Sequence, residues 1–534
     1  MEHTAPLPQW TMFAILAAQG GFYILAVWLI GRKRGATADS YLTGGRDIGH
    51  GMINASIVAT WIWAATLMIS SWTGYQYGYI GPWWYAFGAV IPLPIMAYLG
   101  RQIKNVMPNV RSYPEFMRFR LDRKNHLLHS TIAVIVSFWV TLMIVTGGAV
   151  MGVAFTGAPF WAIAVTMVLI FVSYSSIAGL WANIFADTIM TVIMYVCLII
   201  VAVGIFVSVG PMAMYEGLVN VVENKPNLQP ALDEAGRASQ YDSLNWLNTA
   251  GLGFLIVNVI GNLGAVLCNQ TYWGRVIASN NPETVFKSFF TAAFCWWPIP
   301  LATATALGVG ALAMGLTVGE TYTVGDASIT FSEAAAVGPT MVFVTLGYAG
   351  LACFVIAVGG ATVSTGAGEI LAVVTVFVND FVKGYLKPDA TDKQILLLSR
   401  ISLFVCAGLV VAVVIYWRAI GFGFAGMYKA MGIAFSSAVI PLIMAAFWRK
   451  TNRDAVFWGT IVGSACGIGY WMSTDMDLLW GVVYSNVIVM GVSAVIAIPW
   501  TLIKPQPFDF KEMKESGFKL DGAEVVAVAG AADD

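Results

Sequence analysis

Apolar residues in this chain come in long windows separated by short polar stretches, and a window of about 20 apolar residues is long enough to cross a bilayer as a helix. Thirteen such windows can be counted, at about 8–31, 50–77, 82–100, 128–155, 158–179, 183–210, 247–275, 286–315, 339–379, 397–418, 422–448, 455–473 and 479–503. The ninth is long enough to include a re-entrant or interfacial turn at either end. The pattern predicts an all-α polytopic membrane protein of about 13 transmembrane helices, lying in the lipid bilayer. The longest polar connection, 211–246, has room for a short helix, and no stretch reads as a soluble domain.

Charge sharpens this reading. Of the 534 residues 58% are hydrophobic and only 11% charged, against roughly 25% charged in a soluble protein. The formal net charge of -1 hides an asymmetry between the two sides. Arg32, Lys33, Arg34 and Arg46 follow the first window, and seven further Lys and Arg between Arg101 and Lys124 follow the third; Arg449, Lys450 and the tail lysines sort to the same side. The other side holds only Lys225, Arg237 and Arg418, and is rich in carboxylates, among them Glu216, Asp233, Glu234, Glu320 and Asp477. Cytoplasmic loops collect Lys and Arg, so the expected orientation is N-terminus outside and C-terminus in the cytoplasm of a cell (plasma) membrane. No cleaved signal peptide is expected, and 504–534 reads as a cytoplasmic tail. The six cysteines lie in apolar windows without a CxxC pair and read as small core residues. Nothing resembles a P-loop, and the GxGxxG of Gly421–Gly426 follows no strand, so it reads as close helix packing and not a dinucleotide site.

The polar positions inside the windows carry the candidate chemistry. In a helix Ala361, Ser364 and Thr365 share one face, with Glu369 a turn further on. Buried hydroxyls in lipid need a partner, and a small hard cation prefers oxygen ligands; alternatively Thr365 bonds back to the Ala361 carbonyl. Three charges stand at bilayer depth: Asp187, Glu369 and Lys429. The two carboxylates line an exit path for a cation, or else face intracellular water. Lys429 pairs with a carboxylate, faces a wet cavity, or snorkels to the nearby interface. Transporters bind solutes where spans unwind, and Gly261-Asn262-Leu263-Gly264 offers either such a break or tight packing around a satisfied amide. Pro298 and Pro300 interrupt the eighth window. The second lacks a central Gly or Pro but carries Trp61, Trp63 and Thr66, which can line a small polar cavity or simply pack.

Several stretches resemble one family. Ser40-Tyr41-Leu42-Thr43-Gly44-Gly45-Arg46, Val58-Ala59-Thr60-Trp61-Ile62-Trp63-Ala64-Ala65-Thr66-Leu67, Gly81-Pro82-Trp83-Trp84-Tyr85-Ala86, Asn269-Gln270-Thr271-Tyr272-Trp273, Thr391-Asp392-Lys393-Gln394-Ile395-Leu396 and Ser437-Ala438-Val439-Ile440-Pro441 together resemble the sodium:solute symporter family, and within it the urea active transporter (urea/polyamine permease) branch, over roughly 40–475. The resemblance implies the inverted five-helix repeats of the leucine-transporter fold after one extra N-terminal helix. It divides the chain into 1–49 (extra helix and first loop), 50–448 (transport core), 449–503 (two further helices) and 504–534 (tail). It also implies an unwound first core helix, which the Gly and Pro pattern does not reveal.

By the same resemblance, a sodium site takes the carbonyls of Ala59, Ile62 and Ala361 and the hydroxyls of Ser364 and Thr365, with Asp187 beside it. Trp61, Thr66 and Asn262 fall at substrate-facing positions. Lys429 departs from the urea branch, where an apolar residue is expected; a cation there favours an anionic solute or stands in for a coupling ion. The implied activity is not enzymatic. It is secondary active, cation-coupled uptake of a small polar solute, urea above all, with sodium placed ahead of a proton as the coupling ion, no cofactor beyond that ion, no nucleic acid and no obligate protein partner. The alternatives are symport of a small carboxylate and a passive channel.

Overall fold

The computed structural model describes residues 5–31, 33–224 and 240–514. The expectations for Arg32, Lys225, Asp233, Glu234 and Arg237, and for the tail beyond 514, lie outside them. The chain is helical almost throughout. The first third forms α1 (Gln9–Gly31), α2 (Ala38–Thr43), α3 (His50–Trp61), α4 (Ala64–Tyr77), α5 (Ile80–Val90), α6 (Pro92–Val106), α7 (Tyr113–Arg120) and α8 (Arg123–Thr156). There follow α9 (Phe160–Val209), α10 (Pro211–Glu223), α11 (Thr249–Leu267), α12 (Gln270–Ala278), α13 (Pro282–Trp296), α14 (Pro298–Ala304) and α15 (Gly310–Ala313). A short hairpin, β1 (Thr321–Val324) and β2 (Ala327–Thr330), precedes α16 (Val337–Val376), α17 (Asp392–Ala419), α18 (Phe424–Phe435), α19 (Val439–Phe447), α20 (Arg453–Ser473) and α21 (Trp480–Ile503). The short helix expected within 211–246 is α10. Helix starts use side-chain caps that satisfy their first N–H groups: Ser112, Asp122, Asn281 and Asn452 each accept from the next turn, and Thr391 with Gln394 forms a reciprocal box.

Eleven helices among the described residues are long and apolar enough to cross a membrane, and the bent pair α3–α4 makes a twelfth. The sequence pattern predicts thirteen. The difference lies in α9, where the windows at about 158–179 and 183–210 merge into one helical stretch of 50 residues. A straight helix of that length would run ~75 Å, more than twice the hydrocarbon thickness. It is instead broken at Gly179, whose φ of 57° and ψ of -134° lie outside helical space. A Cβ there would meet the Tyr41 carbonyl at 2.2 Å, so only glycine fits. The ninth window likewise contains its expected turn: α16 is broken at Gly347 (φ 57°) and runs on into a π-helical stretch, Phe377–Leu386.

Helix α16 packs against α8 and α9, α6 against α13, and α11 against α5 and α18. This arrangement turns the soluble pattern inside out, with Leu29, Val207, Phe404 and Leu409 on the outer surface and Ser, Thr, Asn and charged side chains buried between helices. One local alternative is decided in favour of packing, and one local expectation is corrected. The Gly261–Gly264 segment does not unwind: α11 is continuous, and a Cβ at Gly261 or Gly264 would strike Met431 or Ser436 in α18 and the turn after it. The break comes later, at Cys268 and Asn269 between α11 and α12. The Gly421–Gly426 motif is mostly a turn and not a packing seam. Gly421 has a φ of 76°, and an added Cβ at Gly421 or Gly423 would meet nothing.

Candidate functional site

The centre of the molecule is the interruption between α3 and α4, two segments bent by 47°. Neither glycine nor proline causes it. A break in lipid strands backbone carbonyls, and these need donors. Here side chains provide them: the Trp61 carbonyl accepts from Thr66 Oγ1 at 2.6 Å and from Trp296 Nε1 of α13 at 2.8 Å. The Ile62 N–H donates to both the Val58 and Ala59 carbonyls. Trp63, in an extended conformation, restarts the chain as the N-cap of α4. Thr66 is therefore a backbone-satisfying hydroxyl in this conformation.

On one side of the break lies a buried ionic cluster. Asp187 of α9 is fully buried. Its Oδ2 accepts from Ser56 Oγ at 2.5 Å and from Arg275 Nη2 of α12 at 2.8 Å, and its Oδ1 accepts from Ser364 Oγ of α16. Arg275, equally buried, also donates to Ser56 Oγ (3.0 Å), Thr60 Oγ1 (2.8 Å) and the Thr271 carbonyl (2.8 Å). Thr365 Oγ1 donates to the Thr60 carbonyl at 3.4 Å, next to Ala59, and not to its own helix at Ala361. Ser364, Thr365, Asp187 and the end of α3 are thus brought together by three helices from different parts of the chain. Sequence reasoning did not single out Arg275 as part of this site. The signal available was a lone arginine in the otherwise uncharged run from Leu267 to Asn281. A cleft lined by Leu180, Thr271, Gly274, Gly368 and Thr375 reaches Arg275.

On the other side lies a closed cluster of amides and aromatic rings. Asn262 Nδ2 donates to Asn258 Oδ1 (2.6 Å), the Asn258 carbonyl (2.7 Å) and Tyr428 Oη (3.1 Å). The Tyr428 hydroxyl donates to Asn258 Oδ1 at 2.6 Å. Asn258 is itself fixed by donating to the Trp84 and Tyr85 carbonyls. The rings of Trp61 and Trp63 stack at 6.2 Å, those of Tyr85 and Tyr428 at 6.0 Å, and Trp63 lies 6.5 Å from Tyr428. Trp61 thus stacks on Trp63, and Trp63 and Asn262 both reach Tyr428; Asn258, Tyr85 and Tyr428 are members that sequence reasoning did not flag.

Glu369 and Lys429 do not join these clusters. Glu369 is buried one turn beyond Thr365, and its Oε1 accepts from Asn269 Nδ2 at 3.0 Å. It lines no path with Asp187. Lys429 reaches away from Asn262: its Nζ donates to the Leu478 carbonyl at 2.8 Å and lies 5.3 Å over the Trp72 ring. The Trp72 and Phe254 rings stand between it and Tyr428. The long side chain satisfies its charge at the α20–α21 loop, as the snorkelling reading expects.

The model of the sodium:solute symporter family matches residues 41–463, most of the chain. The chain belongs to the sodium:solute symporter family. This symporter is 30% identical over 95% of its length to a urea-proton symporter of Oryza sativa subsp. japonica, spanning 73% of that protein. It is 26% identical over 98% of its length to a urea active transporter of Saccharomyces cerevisiae, again covering 73%. A sodium/glucose cotransporter of Vibrio parahaemolyticus is 22% identical, with 95% and 93% of the two chains covered. Among solved structures, a Na+-coupled sialic acid symporter in a substrate-bound, outward-open state superposes with a TM-score of 0.70 at 17% identity, covering 93% of this chain and 99% of that one. The symporter therefore has the inverted-repeat fold of the leucine transporter. It is a multi-pass membrane protein and a secondary active transporter of a small solute with a coupling cation, not an enzyme.

Proposed function

We propose that the protein imports urea across the plasma membrane, with its arginine-rich side in the cytoplasm, driven by a cation gradient. The observation carrying this reading is the Asn258–Asn262–Tyr428 cluster walled by Trp61, Trp63 and Tyr85, at the same helix break that holds Asp187, Ser364 and Thr365. Urea is small, flat and neutral; it needs several hydrogen-bond partners and offers two faces to aromatic rings. Amides and a phenol hydroxyl that now bond one another can exchange those bonds for bonds to urea. The site contains no unpaired cation that would select a carboxylate, because Lys429 is engaged elsewhere.

For the coupling ion, sodium would sit among the carbonyls of Ala59, Ile62 and Ala361 and the hydroxyls of Ser364 and Thr365, with Asp187 beside it. Proton coupling is favoured by one observation: the Arg275 guanidinium already neutralises Asp187 and occupies Ser56 and Thr60. A sodium ion would have to displace it. The relatives include a protein named as a urea-proton symporter. Radiolabelled urea uptake into proteoliposomes, under a sodium gradient, a pH gradient or neither, tests both readings. Accumulation above equilibrium under one gradient is expected. Equilibration that needs no gradient would leave only a passive channel. Ser364→Ala with Thr365→Ala abolishes the sodium-driven component if the sodium site is right.

A further inference from the structure

Helix α8 runs alongside α16 and the π-helical stretch that continues it, in the opposite direction, with Phe155 against Phe354 at one end and His126 against Asp380 at the other, and polar residues join the two at two matched levels. At the upper level Ser137 Oγ donates to Asn269 Oδ1 at 3.0 Å, and Asn269 Nδ2 donates to Glu369 Oε1 at 3.0 Å. At the lower level His126 Nε2 lies 2.8 Å from Asp380 Oδ1. The spacing is equal on both strands of this ladder: Ser137 is eleven residues from His126, and Glu369 eleven from Asp380. That is about 16 Å of helix. On α8 the residues 126, 129, 130, 133 and 137 fall on one face.

Between and at these levels stand polar atoms without a hydrogen-bond partner, all on buried residues: Glu369 Oε2, Ser130 Oγ, Asp380 Oδ2 and both ring nitrogens of His129. Leaving such an atom unbonded in the interior forfeits its hydration without return. Five such atoms on two neighbouring stretches of helix are not accounted for by helix packing. An imidazole with both nitrogens free can take a proton on one and release it from the other.

We propose that this file is a proton exit: Glu369 carries the transported proton, and His129 and the His126–Asp380 pair pass it to the cytoplasm. The Glu369 carboxyl loses its O–H proton, His129 gains it at one nitrogen and gives up the proton on the other, and the His126–Asp380 pair delivers it to water. Buried water links the gaps, as it does between polar groups elsewhere in protein interiors. The lower end opens where Tyr385, at the His126 ring, meets Arg118 and the exposed Arg123. Ser112 Oγ donates to Asp380 at 2.7 Å, Asn379 lies beside it, and Tyr113 packs edge-on against His129. Arg275 lies against Gly368 at the upper end, and Lys383 is tied to the Ala390 carbonyl. This inference rests on the proton reading above and adds the groups that carry the proton.

The test uses full-length protein in proteoliposomes, with wild type, His129→Leu and Asp380→Asn measured in two assays. One is urea accumulation under an inward pH gradient; the other is exchange of internal for external radiolabelled urea at equal pH. A transporter unable to release its proton still shuttles loaded, so both variants are expected to keep exchange and lose accumulation. His129→Leu breaks no side-chain hydrogen bond, which guards against a folding artefact. Variants that accumulate urea as wild type does, or that lose exchange together with accumulation, overturn the relay. Wild type that accumulates urea only under a sodium gradient overturns the proton reading itself, a separate and distinguishable failure.

Discussion

The pairing of Asp187 with Arg275 can be perturbed one partner at a time. Arg275→Met deletes a guanidinium that makes four hydrogen bonds of 2.8–3.0 Å and leaves the Asp187 carboxylate buried with only hydroxyl donors. Asp187→Asn leaves the guanidinium equally buried with only neutral acceptors. Breaking a buried pair from either side costs roughly 3–5 kcal/mol, because an uncompensated charge remains. Removing both charges removes that penalty. The double variant is therefore expected to be about as stable as either single one, with a coupling of roughly 3–5 kcal/mol. Thermal unfolding in detergent, followed with a thiol-reactive dye, reads this out. Cys197, Cys268 and Cys406 are buried and react only on unfolding, while Cys295 and Cys466 are exposed and set the baseline. Each single substitution should lower the midpoint by several degrees, since a kcal/mol is worth about 2–4 °C in a chain of 150–250 residues and less in a longer one. A double variant whose loss equals the sum of the two single losses would refute the reasoning.

Three further outcomes are expected. Tyr428→Phe removes the hydroxyl shared by Asn258 and Asn262; at about 1 kcal/mol per hydrogen bond, the urea concentration for half-maximal uptake should rise several-fold with little change in expression. Lys429→Leu should leave urea uptake intact, and neither acetate nor pyruvate should compete with urea in wild type, as uptake competition will show. In the first turn of α2, partial burial pushes the Asp39 carboxyl up, but Arg46 and Arg111 more than offset it and hold it below the usual carboxylate range. Its folded pKa is depressed, so its contribution is present above the unfolded carboxylate value of about 4 and is lost as pH falls through the lower folded value. Asp39→Asn should flatten the acid side of the stability–pH profile.

Much of this was readable from the chain. Apolar windows located the spans because lipid allows little else, and Ser364, Thr365 and Asp187 stood out because polar groups at that depth need a reason. The break at Ile62 was not readable from Gly and Pro, since the Trp61 carbonyl it strands is satisfied by Thr66 and by Trp296, 235 positions away along the chain. Arg275 escaped for the same reason: its partners come from α3 and α9, and no local pattern announces them. Glycine left the choice between a break and a packing seam open. Gly261 and Gly264 mark where α18 approaches, while the real interruption at Cys268 and Asn269 is made by a side-chain cap. Lys429 looked central by sequence position; four methylenes carry its charge to a different loop.

The bond from the Trp296 indole to the Trp61 carbonyl has a mechanical consequence. It fastens a helix of the second repeat to the bare backbone of the first, at the point where that backbone has no helical bonds of its own. Any rocking of one half against the other must either carry α3 and α13 along as a single lever or leave the buried Trp61 carbonyl with Thr66 as its one remaining side-chain donor. The lever is the lower-energy course, so the motion that opens the site has to be taken up at other seams.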